Sequence, residues 1–418
     1  MGAQVMMRRK FAAVGAASLI AFLVSAGGVL AAPAELTIGV LPELTGPLSE
    51  NGPAFEKASR LAVDVANQAA KSAGIPTAVK IAVADPQGDP QAALSAARTV
   101  VDKGASCILG PSTTPESIAI LNGLTLQRKM TMWPTASSMR LRTVKDDGTI
   151  FRTVPPDSLQ TKALMAALTQ ALGGVAGKTL SIAYRNEPYG EGLARSVSQA
   201  WQAAGGKVQG PIGFDPQQAS FDSEAGQLVA GSPDTYLVVD YPETYAKFGA
   251  ALVRTGKFDP KKLFLLDAMS MATVPANIPP ASLEGARGVV AGAPRGSDAF
   301  KAFSTMWTGQ GGAENAAFTA NAFDAGLMCF LASVAADSAE PAAIRDKVRS
   351  ITTDGAPKFT FENLADAIKA VQSGQKIDYV GASGEIRFAE NGDLVTGLYD
   401  VFTFRDRQRE VVGQVTAK

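Results

Sequence analysis

The stretch CILGPSTTPESIAIL, residues 107–121, decides the fold prediction because a strand, a polar loop and a helix follow one another within it. The apolar run Cys107–Leu109 predicts a short buried strand, and the residues after the loop have helical spacing. The loop itself holds one serine and two threonines. A second stretch, TMWPTASSMR at residues 131–140, repeats the arrangement: its apolar run stops at Pro134 and hydroxyl residues follow. We therefore predict two successive strand ends that carry hydroxyl groups.

Short apolar runs and helical patterns alternate twice along the chain. The first set has predicted strands at 36–40, 79–84 and 107–109, with helices at 54–70, 91–101 and 115–126. The second set has predicted strands at 180–183, 208–212, 236–239, 263–266 and 289–291, with helices at 189–204 and 243–255. This alternation is typical of parallel sheets with helices on both faces.

The end of the chain continues neither set in order. It has predicted helices at 298–309, 316–336, 341–350 and 362–373, and strand-like pieces at 377–380, 385–389 and 395–404. A chain of 418 residues is long enough for two lobes. We therefore predict an α/β fold with two lobes, between which the chain crosses more than once.

The N-terminal segment has the layout of a secretory signal peptide. Three basic residues, Arg8 to Lys10, precede an apolar stretch that reaches small residues at Ala31 and Ala32. We predict a signal peptide over residues 1–31, with cleavage after Ala34 as an alternative. A twin-arginine signal and a retained membrane anchor stay open as well.

Composition excludes several function classes. The chain has no histidine, which excludes Ser-His, Cys-His and histidine-ligated zinc chemistry. Segment 1–31 holds three of the 39 basic and none of the 39 acidic residues, so the rest carries a net charge of about −3, which argues against nucleic acid as a partner. Cys107 and Cys329 lie in apolar runs, and we expect two buried thiols rather than a disulfide. We predict no cofactor and no metal.

Five segments together resemble the leucine/isoleucine/valine-binding protein family, the type I periplasmic binding proteins of ABC importers. They are TIGVLPELTGPLSENG (37–52), GPSTTPES (110–117), PTASS (134–138), NEPYGEGLARS (186–196) and AAFTANAFDAG (316–326). The resemblance implies two Rossmann-like lobes with parallel sheets, joined by a multi-crossover hinge. It divides the chain into lobe 1, residues 35–155 plus 293–385, and lobe 2, residues 156–292 plus 386–418.

The resemblance also implies a ligand site at the strand ends. In the family, hydroxyls at these positions hold the α-carboxylate and ammonium of the ligand, and by spacing they fall on Thr114, Thr135 and Ser137. Ser112 belongs to the same hydroxyl loop. Each hydroxyl has a capping alternative, with Thr114 as a helix N-cap and Ser137 as the cap of a short turn.

Three aromatic residues are further members of the predicted ligand-binding set. Tyr189 and Phe318 correspond to family positions at the cleft, although each is also a plausible packing residue. Trp133 either walls the cleft or belongs to the core, and the core is the favoured interpretation.

Three positions depart from the family pattern. Asn51 replaces a tyrosine, and either Asp240 or Tyr241 takes the place of a cleft tyrosine. The family glutamate that pairs with the ligand ammonium aligns with Ala268, next to Asp267. If Asp267 does not replace that glutamate, a plain amino acid is not the expected ligand, because an unpaired ammonium in a closed cleft costs several kcal/mol.

The predicted function is that of a periplasmic solute-binding protein that closes on a small polar ligand, an amino acid or a related amide or carboxylate. Its expected partner is an ABC transporter permease in the inner membrane. A ligand sensor for a membrane receptor is one alternative, although no apolar span follows the lobes before Lys418. A carboxylate-based enzyme using Asp240, Asp267 and Tyr189 is the less favoured one, and we expect no catalytic activity.

Overall fold

The computed structural model describes residues 32–314 and 316–418, so the predicted signal peptide lies outside the described residues. The first sheet is parallel, with strand order β2-β1-β3-β4. Its strands are β1 (Glu35–Val40), β2 (Ala78–Val83), β3 (Ala105–Leu109) and β4 (Met132–Trp133). The helices of this part are α1 (Gly52–Ala73), α2 (Pro90–Asp102), α3 (Thr114–Ile120), α4 (Leu126–Arg128) and α5 (Arg140–Thr143). Every residue of β3 is buried, as expected for a strand covered by helices on both faces.

The second sheet begins with five parallel strands, in the order β9-β8-β7-β5-β6. They are β5 (Thr179–Arg185), β6 (Lys207–Phe214), β7 (Thr235–Val239), β8 (Leu263–Leu265) and β9 (Arg287–Ala291). The helices are α6 (Asp157–Leu172), α7 (Pro188–Ala203), α8 (Asp222–Val229) and α9 (Pro242–Arg254). In both sheets the first strand lies between the second and the third, which is the arrangement of a doubly wound α/β unit.

The chain then returns to the first lobe and adds a helical block with a small sheet. These elements are α10 (Asp298–Gly309), α11 (Thr319–Ala336), α12 (Pro341–Lys347), β10 (Lys358–Phe359), α13 (Leu364–Gln372), β11 (Asp378–Gly381) and β12 (Gly384–Glu385). Helix α11 is apolar enough to span a membrane by composition, but 94% of that stretch is buried in the protein. It packs against α1 and is therefore a core helix.

Two last strands join the second sheet. β13 (Gly397–Arg405) pairs antiparallel with β9, and β14 (Gln408–Ala417) pairs antiparallel with β13 at the sheet edge. The chain thus passes between the two sheets three times: before α6, after β9 and before β13. The two-lobed α/β fold predicted from the sequence is confirmed, while the residue boundaries of the lobes stay a prediction.

The structure differs from the sequence prediction at the C-terminal strands. The predicted strand at 385–389 is reduced to β12 and one bridge between Phe388 and Leu394. Strand β14 was not predicted at all, because only two of its ten residues are buried and it contains no apolar run.

The two cysteines form a disulfide, so the expectation of two free thiols is wrong. Cys107 lies on β3 and Cys329 on α11, and their Cα atoms are 6.5 Å apart. The two residues are 222 positions apart in sequence. Only the packing of α11 near β3 brings them together, so their spacing carried no signal of the pairing.

Candidate functional site

A cleft lies between the lobes where the carboxyl ends of strands from both sheets face each other. It encloses about 560 Å³ of space, including its open mouth. The lining residues come from loops after β1, β3, β4, β7 and β8 and from the starts of α1, α7 and α11: Leu48, Asn51, Phe55, Ser112, Thr114, Thr135, Ala136, Ser137, Tyr189, Tyr241, Asp267, Ala268, Ala317 and Phe318. This is the place where open parallel sheets bind ligands.

Three hydroxyl groups on the first lobe face the cleft and have no hydrogen-bond partner within residues 32–314 and 316–418. Thr113, rather than the predicted Thr114, caps α3: its Oγ1 accepts from the Glu116 backbone N–H, and Glu116 closes a capping box with the Thr113 N–H at 2.9 Å. The side chain of Thr114 is thereby released from capping. Among the described residues, the hydroxyls of Ser112, Thr114 and Thr135 line the cleft and make no hydrogen bond within the protein.

Asp267 is the one charged side chain among the described residues that line the cleft. Its Oδ2 accepts a hydrogen bond from Ser137 Oγ at 2.9 Å, and its Oδ1 accepts one from Tyr189 OH at 2.7 Å and one from the Ala268 N–H at 3.0 Å. Burial raises the pKa of Asp267, whereas the bonds from Tyr189 and Ser137 lower it. The structure thus places both Asp267 and Ala268 in the lining of the cleft.

Two stacked tyrosines form the wall on the second lobe. The rings of Tyr189 and Tyr241 have centroids 5.6 Å apart and planes 23° apart. The guanidinium of Arg185 lies 4.5 Å from the centroid of the Tyr241 ring. Both phenols are buried, which raises the pKa of each well above its ordinary value. This wall is therefore neutral across the physiological pH range.

The remaining lining is apolar except for Asn51. The apolar residues are Leu48, Phe55, Ala136, Ala268, Ala317 and Phe318. Phe318, directly before α11, has φ 62° and ψ 0°, a left-handed conformation that costs about 1–3 kcal/mol in a residue other than glycine. The N–H of Ala322 donates to the Phe318 carbonyl at 2.9 Å and helps to hold it. This part of the cleft offers mainly apolar contacts.

The structure brings nine of the eleven predicted ligand-binding residues to the cleft lining and leaves out Asp240 and Trp133. Asp240 is buried behind Tyr241, where its carboxylate accepts the Tyr241 N–H at 2.8 Å and lies 3.7 Å from Arg185. The ring of Trp133 is buried in the first lobe and stacks on Phe151 with a centroid distance of 5.4 Å. Of the two residues left open by the alignment, Tyr241 is the one at the cleft.

Sequence reasoning missed four lining residues: Leu48, Phe55, Ala136 and Ala317. Ala268 was expected there only as the position that aligns with the family glutamate. Leu48 and Ala136 lie inside segments that carried the resemblance, so their position beside predicted ligand residues was the available signal. Phe55 occupies a buried position on α1 and looks like any core residue in the sequence. Among the described residues, no group of three acidic or cysteine side chains could hold a metal ion.

Comparison with known proteins gives one family match. A family profile described as "Periplasmic binding protein" matches residues 35–382. The Leu/Ile/Val-binding protein homolog 3 of Brucella melitensis is 30% identical over 188 residues, which is 45% of this chain and 50% of that protein. The chain therefore aligns with about half the length of this curated relative.

Two further similarities extend over most of the chain. The chemotactic signal transduction system substrate-binding protein BasB of Halobacterium salinarum is 24% identical over 87% of this chain and 85% of its own length. Among solved structures, the branched-chain amino acid transporter substrate-binding protein LivJ of Streptococcus pneumoniae, in complex with isoleucine, has a TM-score of 0.73 at 18% identity. That match covers 91% of this chain and 99% of the other, and at this identity it shows the fold alone.

Proposed function

Because the chain belongs to the periplasmic binding protein family, we propose that it binds an α-amino acid with an apolar side chain, or a close relative of one, and delivers it to an ABC transporter permease. The observation that carries this proposal is that one carboxylate, that of Asp267, and three hydroxyls without a partner among the described residues line the same cleft. The carboxylate of Asp267 suits the ligand ammonium, and Ser112, Thr114 and Thr135 suit the ligand carboxylate. Leu48, Phe55 and Phe318 offer apolar contact to a side chain.

Closure of the lobes is the mechanism that this cleft supports. Groups from both lobes would contact one ligand, so binding favours the closed arrangement over the open one. Ligand binding without turnover is expected, because Asp267 and Tyr189 bond to each other and no nucleophile with a base lies among the described lining residues. A closed complex is then the form that a permease would recognise.

The test compares three ligands that share a carbon skeleton. L-leucine has both charged groups, 4-methylpentanoate lacks the ammonium, and 3-methylbutylamine lacks the carboxylate. We expect L-leucine to raise the melting temperature and the other two to bind at least tenfold more weakly by calorimetry. Equal affinities for L-leucine and 4-methylpentanoate would show that Asp267 does not contribute to binding by pairing with the ligand ammonium. The variant Asp222→Asn, changed at an exposed surface ion pair with Arg254, is the control and should bind like the wild type.

Transport and sensing differ in the partner rather than in the site. The likeness to BasB over most of the chain makes a sensory role the second candidate. Deleting the gene for this chain should abolish uptake of the radiolabelled ligand if the protein serves an importer. Normal uptake with a lost chemotactic response would favour the sensory role. We propose a periplasmic location for either role, and fractionation of cells expressing the full chain tests it.

A further inference from the structure

Asp157, the first residue of α6, is a buried carboxyl that the proposed ligand contacts do not use. It is fully buried, and neither of its carboxylate oxygens accepts a hydrogen bond from the described residues. Its backbone N–H donates to the carbonyl of Ser137 at 2.9 Å, which fixes the start of α6 beside the cleft wall. A buried carboxylate without hydrogen-bond donors is strongly unfavourable, so the neutral acid is the favoured form.

Asp267 lies beside Asp157 and holds all the hydrogen-bond donors of the pair. The Ser137 hydroxyl is near both carboxyl groups and has a single proton, which it donates to Asp267 at 2.9 Å. Tyr189 and the Ala268 N–H also donate to Asp267. Hydrogen bonds to a carboxylate favour its charged form, so the negative charge of the pair belongs on Asp267 and the proton on Asp157.

One cation, Arg152, lies among the described groups around Asp157; its charge lowers the pKa of Asp157, but its hydrogen bonds go to other partners. The titratable and charged groups around it are Asp267, Arg152, Asp393, Tyr189 and Tyr399. Arg152 Nε donates to Asp393 Oδ1 at 2.7 Å, and its Nη1 donates to the carbonyls of Ala136 and Ser138. Arg152 is therefore already paired. Burial first, and then the charge of Asp267, raise the pKa of Asp157 to about 8.

We propose that Asp157 is a positioning residue that acts through Asp267: it keeps its proton while the cleft is empty and releases that proton when a cationic group binds to Asp267. The ammonium compensates the negative charge that held the proton in place, so Asp157 ionises and the proton goes to solvent. A ligand with a positive charge is therefore also attracted by the ionised carboxylate of Asp157. A neutral or anionic ligand leaves Asp157 protonated and gains no such attraction. The ligand half of this proposal rests on the proposed function.

The first measurement needs no ligand. The melting temperatures of wild type and Asp157→Asn are compared between pH 5 and pH 8.5. The folded wild type holds a proton on Asp157 that the unfolded chain has lost above about pH 4, so wild-type stability falls as pH rises toward 8. As pH rises across this range, we expect the melting temperature of the variant to increase by several degrees relative to that of the wild type. A difference that stays constant with pH would overturn the proposal.

The second measurement counts protons during binding. Calorimetry of the full chain with L-leucine at pH 7, in phosphate and in Tris, gives the protons released per ligand. We expect release by the wild type, an affinity that rises up to about tenfold per pH unit between pH 6 and 7.5, and neither effect in Asp157→Asn. Asp222→Asn, changed at the exposed ion pair with Arg254 and away from the cleft, should release as many protons as the wild type.

The outcomes separate the two proposals. Failure of L-leucine to bind the wild type counts against the amino-acid ligand, while the ligand-free comparison still decides whether Asp157 holds a proton. Binding of L-leucine with no proton release, or with equal release by wild type and Asp157→Asn, would leave the proposed function intact and overturn the role of Asp157.

Discussion

Ser137 on the first lobe and Asp267 on the second are joined by a hydrogen bond of 2.9 Å across the cleft. Ser138 adds a weaker contact of the same kind, since its Oγ lies 3.4 Å from the Pro188 carbonyl. The described structure is therefore a closed arrangement, held by a contact at the place where a ligand would bind. Under the proposed function, the same two residues would link lobe closure to ligand recognition.

Replacing Ser137 with alanine should weaken both closure and binding. The variant loses a hydrogen bond to a buried carboxylate, a contribution of about 1.5–3 kcal/mol, or roughly a 10- to 100-fold loss of affinity. Calorimetry with L-leucine measures the loss, and small-angle scattering should show a more open ligand-free form. Ser138→Ala is the matched control, because its longer contact predicts a much smaller effect. Equal effects of the two variants would contradict the role given to Ser137.

Asp267→Asn tests the charge of the cleft rather than its shape. Asparagine keeps a similar volume and the acceptor for Tyr189, but it cannot pair with an ammonium. We expect binding of L-leucine to fall by about 100-fold or more, since leaving a desolvated charge unpaired costs several kcal/mol. Binding of 4-methylpentanoate should stay constant or improve. A parallel loss for both ligands would mean that the substitution acts on folding or closure.

The pH dependence of binding should shift in Tyr189→Phe. The Tyr189 hydroxyl lowers the pKa of Asp267, so its removal raises that pKa and lets Asp267 take up a proton at a higher pH. The variant should therefore lose affinity for L-leucine earlier as pH falls from 8 to 5, and differ least at pH 8. Tyr241→Phe keeps the stacked ring and removes a hydroxyl that does not bond to Asp267, so its pH profile should match the wild type. Calorimetry at four pH values gives the profiles.

The sequence predicted the strand ends of the site well because those ends are locally encoded. An apolar run followed by proline and hydroxyl residues marks a strand that stops at a polar edge, and Thr114, Thr135 and Ser137 all lie at the cleft. Parallel strands bring such ends to one edge, and the family resemblance implied which of the hydroxyls belong to the site. The two-lobed α/β fold followed from the alternation of strands and helices.

The missed features depend on contacts that are distant in sequence. The disulfide joins residues from β3 and α11, and the isolated position of Asp157 follows from how α6 meets the loop after β4. Whether Asp240 or Tyr241 faces the cleft is decided by the turn after β7, where the Asp240 carboxylate bonds to the next backbone N–H. Patterns along the chain carry no information on such choices.

Breaking the disulfide should lower stability without emptying the cleft. The bond between Cys107 and Cys329 closes a loop of 222 positions, and constraining a loop of this size in the unfolded chain contributes about 2–5 kcal/mol. The double variant Cys107→Ala/Cys329→Ala should melt several degrees below the wild type and bind L-leucine with similar affinity. In reducing agent the melting temperature of the wild type should fall toward that of the variant, whereas the melting temperature of the variant should not change. A large loss of affinity would show that the bond shapes the site.

Glu43 predicts a second pH effect, this time on stability alone. The residue is buried, its Oε1 accepts the Leu48 N–H at 2.8 Å, and its Oε2 has no hydrogen-bond partner among the described residues. Burial, with the charge of Glu116, raises the pKa of Glu43 to about 8. The folded chain thus binds a proton that the unfolded chain loses above about pH 4.5, and this residue makes stability fall as pH rises toward 8.

Glu43→Gln keeps the acceptor for Leu48 and removes the titration. The variant should therefore melt at a temperature close to the wild type near pH 4.5 and increasingly above it as pH rises to 8, measured by scanning calorimetry in steps of one pH unit. Glu35→Gln, changed at an exposed ion pair with Lys80, should follow the wild-type curve. A Glu43→Gln curve parallel to the wild type would mean that the Glu43 carboxyl is ionised in the folded protein, and that Arg185, whose charge lowers the pKa of Glu43, neutralises it.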